Sequence, residues 1–114
     1  MPSGHVIVFV TVGKEIEAHT IGQRLVEESL AACVGFIEQK TIYRWKGKII
    51  NDNEILLIIK TKRELFEPLR ELVLSLHSYE VPEIVSLDIE RGHDAYLDWI
   101  DTNTGKETGL HERD

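Results

Sequence analysis

The alternation of apolar and polar positions divides this chain into four extended segments and three helical ones. Residues 6–12 form a nearly continuous β-branched run, which favours a strand buried on both faces. In residues 14–29 the apolar side chains recur every three or four positions, which predicts an amphipathic helix. The same spacing predicts a second helix over residues 65–76, where Pro68 is tolerated only in the first turn.

The middle and the end of the chain supply the remaining elements. Residues 33–45 alternate β-branched and aromatic side chains, and Lys46-Gly47 predicts a tight turn into a return strand that ends near residue 61. We expect Asn51-Asp52-Asn53 to interrupt that strand as a bulge or bend. A fourth strand is predicted over residues 84–89, and Tyr96, Leu97 and Ile100 indicate a short third helix.

The resulting order, β-α-β-β-α-β with a terminal helix, predicts an α+β fold of the ferredoxin-like kind. In this arrangement an antiparallel sheet carries its helices on one face. We expect residues 1–102 to form a single domain and residues 103–114, which are polar and aperiodic, to form a disordered tail.

The predicted sheet has an apolar surface that its own helices do not cover. Residues 55–59 are apolar without alternation, whereas an antiparallel sheet with helices on one side normally has polar residues on the other. The hairpin arms also exceed the ~5–6 residues of an average strand and would expose unpaired edges. This pattern favours self-association, and coverage of the second face by loops is the alternative.

Composition limits the classes of partner. The 114 residues contain 13 basic and 20 acidic side chains, and the formal charge of −7 argues against binding nucleic acid through its phosphates. The single cysteine, Cys33, lies in an apolar stretch and is interpreted as a buried, inert thiol. The N-terminus lacks the basic start of a signal peptide and no run is long enough to span a membrane, so we expect a cytoplasmic protein.

Chemistry-bearing side chains are concentrated in the connection formed by residues 77–85. His77, Tyr79, Glu80 and Glu83 fall within seven residues, and Pro82 stiffens the segment. A stiff loop of this kind is suited to hold a site. The alternative is that His77 only caps the preceding helix. We interpret the other histidines (His5, His19, His93 and His111) as surface residues.

Five blocks together resemble the CutA divalent-cation tolerance proteins, and the likeness extends from about residue 6 to residue 100. The blocks are Leu30-Ala31-Ala32-Cys33-Val34, Tyr43-Arg44-Trp45-Lys46-Gly47-Lys48, Ile58-Ile59-Lys60-Thr61, His77-Ser78-Tyr79-Glu80-Val81-Pro82-Glu83-Ile84 and Tyr96-Leu97-Asp98-Trp99-Ile100. The resemblance implies a small cytosolic homotrimer linked to tolerance of copper and other divalent ions.

The resemblance also implies a metal site. His77 and Glu83 match two of the ligands proposed for the family, with Tyr79 or Glu80 as possible support. The third family ligand is a first-strand cysteine, and this chain has Val10 or Thr11 there. Imidazole with carboxylate suits Cu(II) or Zn(II), whereas thiolate selects Cu(I). Cys33 matches a different family cysteine, which is interpreted as structural.

Two other classes of function are alternatives to divalent-cation binding. A signalling trimer similar to the PII proteins would bind a small anionic ligand between subunits through Tyr43, Trp45 and Lys60, with Arg44, Lys46 and Lys48 nearby. The alternative for these residues is a solvated hairpin with cross-strand packing. An enzyme is not expected, because no nucleophile–base pair is readable. The identity of a downstream protein partner is not specified by any motif of the sequence.

Overall fold

The computed structural model describes residues 3–105 of the chain. Its helices and strands follow one another as the sequence predicts, with a short 3-10 turn, Arg63–Leu65, before the second helix. The elements are β1 (His5–Val12), α1 (Glu15–Glu27), β2 (Cys33–Trp45), β3 (Lys48–Lys62), α2 (Phe66–Leu76), β4 (Ile84–Ile89) and α3 (Asp94–Thr102).

The four strands form one antiparallel sheet in the order β2-β3-β1-β4. Each β-α-β half places its helix over the sheet and leaves room for the strand of the other half between its own two strands. This order is that of the ferredoxin-like split β-α-β arrangement, so the predicted α+β fold is confirmed. Pro68 is the third residue of α2, within the first turn, where its missing N–H leaves no intrahelical bond unmade.

One face of the sheet, here called the helix face, forms the core. The even-numbered valines of β1, Val6 to Val12, are at most 1% exposed and point to this face. Helices α1 and α2 cover it with Ile21, Leu25 and Leu69, which are fully buried. Burying each such side chain stabilises the fold by about 1.5–3 kcal/mol.

The β2–β3 hairpin is regular along its whole length, and the bulge predicted at residues 51–53 is wrong. The pairing runs without a break from Trp45↔Lys48 to Cys33↔Lys60, and Asp52 lies opposite Thr41. Asn and Asp have low strand propensity, but propensity in sheets is weaker than the ladder of cross-strand pairs around it. Lys46 (φ 50°) and Gly47 (φ 81°) both adopt positive φ, as a two-residue type I′ turn requires.

The opposite face of the sheet, here called the open face, is apolar and partly exposed along its edge strands β2 and β4. The odd-numbered residues of β1 point to it, as do their partners in the neighbouring strands. Several of its apolar side chains are about half exposed in the single chain: Ile37 (49%), Val85 (46%) and Leu87 (50%). The predicted uncovered second face is therefore present in the folded chain.

Helix α3 reaches one end of the open face. His5 Nε2 lies 2.9 Å from Asp101 Oδ1, and Lys62 Nζ donates to the carbonyl of Thr104 at 3.5 Å. His5 is 7% exposed, so its interpretation as a surface residue is wrong. His5 is buried because α3 returns over the start of β1. This contact between segments that are distant in sequence is not visible in the apolar pattern of β1 alone.

The described domain continues past residue 102. Thr104 is 3% exposed, and the Gly105 N–H donates to the carbonyl of Ser29 at 2.8 Å. Residues 106–114, the rest of the predicted tail, lie outside the described residues, as does His111. Within residues 3–105 no helix has the length and apolar character needed to cross a membrane.

Candidate functional site

A cleft of about 600 Å³ opens between the β2–β3 hairpin and the loop that joins α2 to β4. It lies on the open face, at the end of the sheet opposite α3. The structure brings five of the predicted residues together here: Tyr43, Trp45, Tyr79, Glu80 and Glu83. The cleft is also lined by Thr11, one of the two candidates for the first-strand ligand position, and by residues that the sequence did not single out: Thr41, Ile42, Glu54, Ser78 and Val81.

Glu54 is the buried carboxylate of the cleft. It is 6% exposed, and two hydroxyls donate to it: Thr41 Oγ1 to Oε1 at 2.8 Å and Tyr79 Oη to Oε2 at 2.6 Å. A buried carboxylate needs such partners, because leaving it unpaired is costly. Glu54 was missed, although an acidic residue directly before the apolar run of residues 55–59 was a usable signal.

The two tyrosines of the cleft are held in the phenol form. Burial, followed by the hydrogen bond to Glu54, raises the pKa of Tyr79 far above its ordinary value. The hydrogen bond from Tyr43 Oη to Asp52 Oδ2, 3.0 Å long, is the main cause that raises the pKa of Tyr43. Both phenols therefore act as hydrogen-bond donors to carboxylates at neutral pH.

His77 is buried beneath the loop, and its side chain is 0% exposed. Its Nε2 donates to the carbonyl of Thr11 at 2.7 Å, and its Nδ1 accepts from the backbone N–H of Tyr79 at 3.1 Å. A carbonyl only accepts, so the ring is the neutral tautomer with the proton on Nε2. The imidazole thus ties the loop to β1 rather than capping α2. Glu17 Oε2 lies 3.4 Å from Nδ1 and accepts from the Ser78 N–H at 2.9 Å.

Thr11 contacts both predicted metal ligands. Its carbonyl accepts from His77, and its Oγ1 donates to Glu83 Oε1 at 3.4 Å. Val10 is fully buried in the core and points to the helix face. The side chain at the end of the first strand that meets the His77 loop is therefore that of Thr11, a hydroxyl where the family resemblance implies a thiolate.

Glu80 and Trp45 form the rim of the cleft. Lys46 Nζ lies 3.9 Å from Glu80 Oε1 and 5.7 Å from the centre of the Trp45 ring. Both charged side chains are largely exposed, 73% for Lys46 and 70% for Glu80. The contact joins the tip of the hairpin to the loop across the mouth of the cleft.

Lys60 lies away from this cleft. It pairs with Ile7 and Cys33, six positions along β3 from Glu54, which at ~3.3 Å per residue is about 20 Å. Within one chain Lys60 therefore does not join Tyr43 and Trp45. Cys33 is half-buried beside it and is equally remote from His77.

The described residues offer few metal ligands in one place. Over residues 3–105 no group of three or more His, Cys, Asp or Glu side chains is arranged to hold a metal ion. A pair such as His77 and Glu83 makes a weak site unless water or a second chain completes it. Of the charged side chains that line the cleft, all are carboxylates: Glu54, Glu80 and Glu83.

Comparison with known proteins gives consistent matches. A family model described as CutA1 divalent ion tolerance protein matches residues 6–103. The Divalent-cation tolerance protein CutA of Thermus thermophilus is 50% identical over 100 residues, covering 87% of this chain and 97% of that protein. Protein CutA of Homo sapiens is 45% identical over 101 residues, which cover 88% of this chain but only 56% of the human protein.

Solved structures agree with these sequence matches. The Cut A1 protein from Thermus thermophilus superposes with a TM-score of 0.86 at 48% identity, covering 89% of this chain and 99% of that one. The protein described as periplasmic divalent cation tolerance protein CutA from Archaeoglobus fulgidus gives a TM-score of 0.85 at 40% identity, covering 87% and 97%.

Proposed function

Because this chain belongs to the CutA1 divalent-ion tolerance family, we propose that it acts in divalent-cation tolerance as a homotrimer that binds divalent ions weakly. The observation that carries the binding proposal is the meeting of His77 and Glu83 at Thr11. His77 and Glu83 belong to one loop and both contact Thr11 at the end of β1, His77 at the carbonyl and Glu83 at the hydroxyl.

The proposed ligands are the Glu83 carboxylate and the His77 imidazole. Glu83 is exposed and its contact to Thr11 is long, so a metal can replace that contact at little cost. His77 must release either the Thr11 carbonyl or the Tyr79 N–H before a ring nitrogen can bind a metal. This competing pair of hydrogen bonds supports weak binding, with a second chain or water supplying the remaining ligands.

The types of ligand in this corner favour the binding of borderline divalent ions over that of Cu(I). Imidazole and carboxylate suit Cu(II) and Zn(II), and the soft thiolate that would favour Cu(I) is replaced by the Thr11 hydroxyl. Copper therefore enters this proposal only as one of several divalent ions.

The trimer is supported by the open face. Val85 and Leu87 on β4 and Ile37 on β2 are about half exposed in the single chain and lie on the two edge strands of the sheet. Covering several aliphatic side chains, at roughly 1.5–3 kcal/mol each, is sufficient for stable association. A binding role rather than catalysis is part of the same proposal, and it is supported by the divalent-ion tolerance for which the matching family is named.

Two other expectations stay predictions. The charge of the cleft does not favour the anionic ligand of a PII-like trimer, because carboxylates line it and Lys60 is remote. The cytoplasmic location is open, since relatives carry names that are chloroplastic in Arabidopsis thaliana and periplasmic in Archaeoglobus fulgidus.

Calorimetric titration with Zn(II) tests the binding proposal. We expect affinity to fall between about pH 7.5 and about pH 5.5, because protons compete with the metal for imidazole. Glu83→Gln keeps the shape of the side chain and should weaken binding about ten-fold or more. Glu90→Gln changes the net charge equally at an exposed position outside the cleft and should have no effect.

A gain-of-binding variant completes the same experiment. Thr11→Cys places a thiolate ligand at the corner and should create a preference for Cu(I) that the natural chain lacks. Equal Zn(II) binding by the natural chain and the Glu83→Gln variant would refute the proposed site.

A further inference from the structure

The rim of the cleft already holds an ammonium group that belongs to the chain itself. Lys46 Nζ is within 6 Å of the Trp45 ring, the range of a cation–π contact, and 3.9 Å from Glu80 Oε1. Because Lys46 and Glu80 are both largely exposed, this internal contact contributes little stability and is easily exchanged.

The interior of the cleft has the same preference for positive charge. Its lining combines three carboxylates with the aromatic rings of Tyr43, Trp45 and Tyr79, and no Lys or Arg is among the described residues that line it. Carboxylates attract a cation by charge, and aromatic faces attract it through the ring quadrupole. An anion would meet repulsion from both.

The shape of the cleft adds a second requirement. It has about 600 Å³ of space, which accommodates a small molecule, and the exposed apolar side chains Ile42 (73%) and Val81 (68%) stand at its edge. A compact inorganic cation would leave these side chains uncovered, whereas an aliphatic chain behind the charge would cover them.

We propose that this cleft binds a small linear aliphatic ammonium ion, with its charged head between Trp45 and Glu80 and its hydrocarbon chain along Ile42 and Val81. The bound head takes the position that Lys46 Nζ occupies in the free chain. The head group lies at the rim, between Trp45 and Glu80, whereas the proposed metal corner lies deeper in the same cleft at Thr11 and Glu83, so the inference requires neither a metal nor the metal proposal.

Titration with n-pentylammonium, followed by NMR through the indole N–H signal of Trp45, tests the inference. Assignment uses the Trp45→Phe variant, which removes that signal. We expect saturable binding in about the millimolar range, with n-pentanol binding less and pentanoate not binding. Trp45→Leu and Glu80→Gln, followed by calorimetry, should each weaken binding about two- to five-fold. Lys46→Ala should strengthen it, because the internal competitor is removed.

Glu90→Gln is the matched control, since it lowers the negative charge by the same amount at an exposed position away from the cleft. We expect it to bind n-pentylammonium as the natural chain does. Equal weakening by Glu90→Gln would reduce the effect to general electrostatics and overturn the inference, as would equal binding of pentanoate. Zn(II) affinity in the Trp45→Leu variant should be unchanged, which separates this result from the fate of the metal corner.

Discussion

At the scale of single residues, the carboxylate of Glu54 organises the cleft. It accepts hydrogen bonds from Thr41 on the hairpin and from Tyr79 on the loop, and thereby joins two segments of the chain. Gly13 makes this arrangement possible, because a Cβ at that position would lie 2.7 Å from Tyr79 Oη. The loop is therefore positioned by a buried polar contact as well as by Pro82.

Removing the phenol of Tyr79 measures that contact. Tyr79→Phe leaves Glu54 Oε2 buried without its donor and should lower the free energy of unfolding by about 1–3 kcal/mol. Tyr43→Phe is the matched control, because its partner Asp52 is more exposed, and should cost under about 0.5 kcal/mol. Chemical denaturation of both variants at neutral pH gives the comparison, and equal losses would contradict the role assigned to Glu54.

Comparison of the natural chain with the Tyr79→Phe variant also gives a prediction at alkaline pH. Folding raises the pKa of Tyr79, so this stabilisation is present below the ordinary phenol pKa of about 10 and is lost as the pH rises towards the higher value of the folded chain. The unfolding free energy of the natural chain should therefore decline above about pH 10 more steeply than that of Tyr79→Phe.

The site was only partly predictable at this scale. Tyr79, Glu80 and Glu83 were found because they are neighbours in sequence, and Tyr43 and Trp45 because the hairpin pattern was clear. Glu54 and Lys60 belong to the same strand and point to the same face, so periodicity alone could not separate them. Their distance along β3 places one in the cleft and the other outside it. Thr11 and Val10 were likewise separated only by the direction of their side chains.

At the scale of elements, the strand boundaries followed the sequence closely because apolar pattern and turn signals agreed. β2 and β4 end where predicted, at Trp45 and Ile89. The bulge predicted at residues 51–53 does not form because the continuous pairing of the long hairpin outweighs the low strand propensity of Asn and Asp. A tight type I′ turn at Lys46-Gly47 fixes the register of the whole ribbon.

Substitutions at the two residues of the hairpin turn should change the stability of the chain in opposite directions. Gly47→Ala forces a Cβ into positive φ and should destabilise the chain by about 1 kcal/mol. Lys46→Asn replaces a residue that is strained at φ 50° by one that tolerates this region, and should stabilise it by up to about 1 kcal/mol. Thermal unfolding of the two variants provides the measurement. A stabilising effect of Gly47→Ala would show that the turn is not of this type.

At the scale of the whole molecule, the open face is the surface through which we propose that the chains associate. α3 covers one end of it and the cleft occupies the other, which leaves the apolar centre around Phe9, Ile58 and Leu87 partly exposed. The sequence predicted this face from the lack of alternation in residues 55–59. It could not give the number of copies, because that depends on the geometry of contact between chains.

A charge placed on the open face tests the assembly. We expect the natural chain to have three times the mass of one chain by light scattering at micromolar concentration. Leu87→Glu should dissociate it, because burying an unpaired carboxylate costs several kcal/mol. Leu74→Glu makes the same change on the outer side of α2, where the side chain is 43% exposed, and should leave the mass unchanged. A monomeric mass for the natural chain would refute self-association.

Thr11 makes two contacts, one through its backbone and one through its side chain. These contacts separate the anchoring of the loop from the chemistry that the cleft receives. The loop is anchored through the Thr11 carbonyl, which every amino acid possesses, while the cleft receives the Thr11 side chain. Position 11 can therefore exchange its side chain without loosening the anchor of His77. For the proposed metal corner, the backbone therefore fixes where the group at position 11 stands, while the side chain alone sets whether that group is hard or soft.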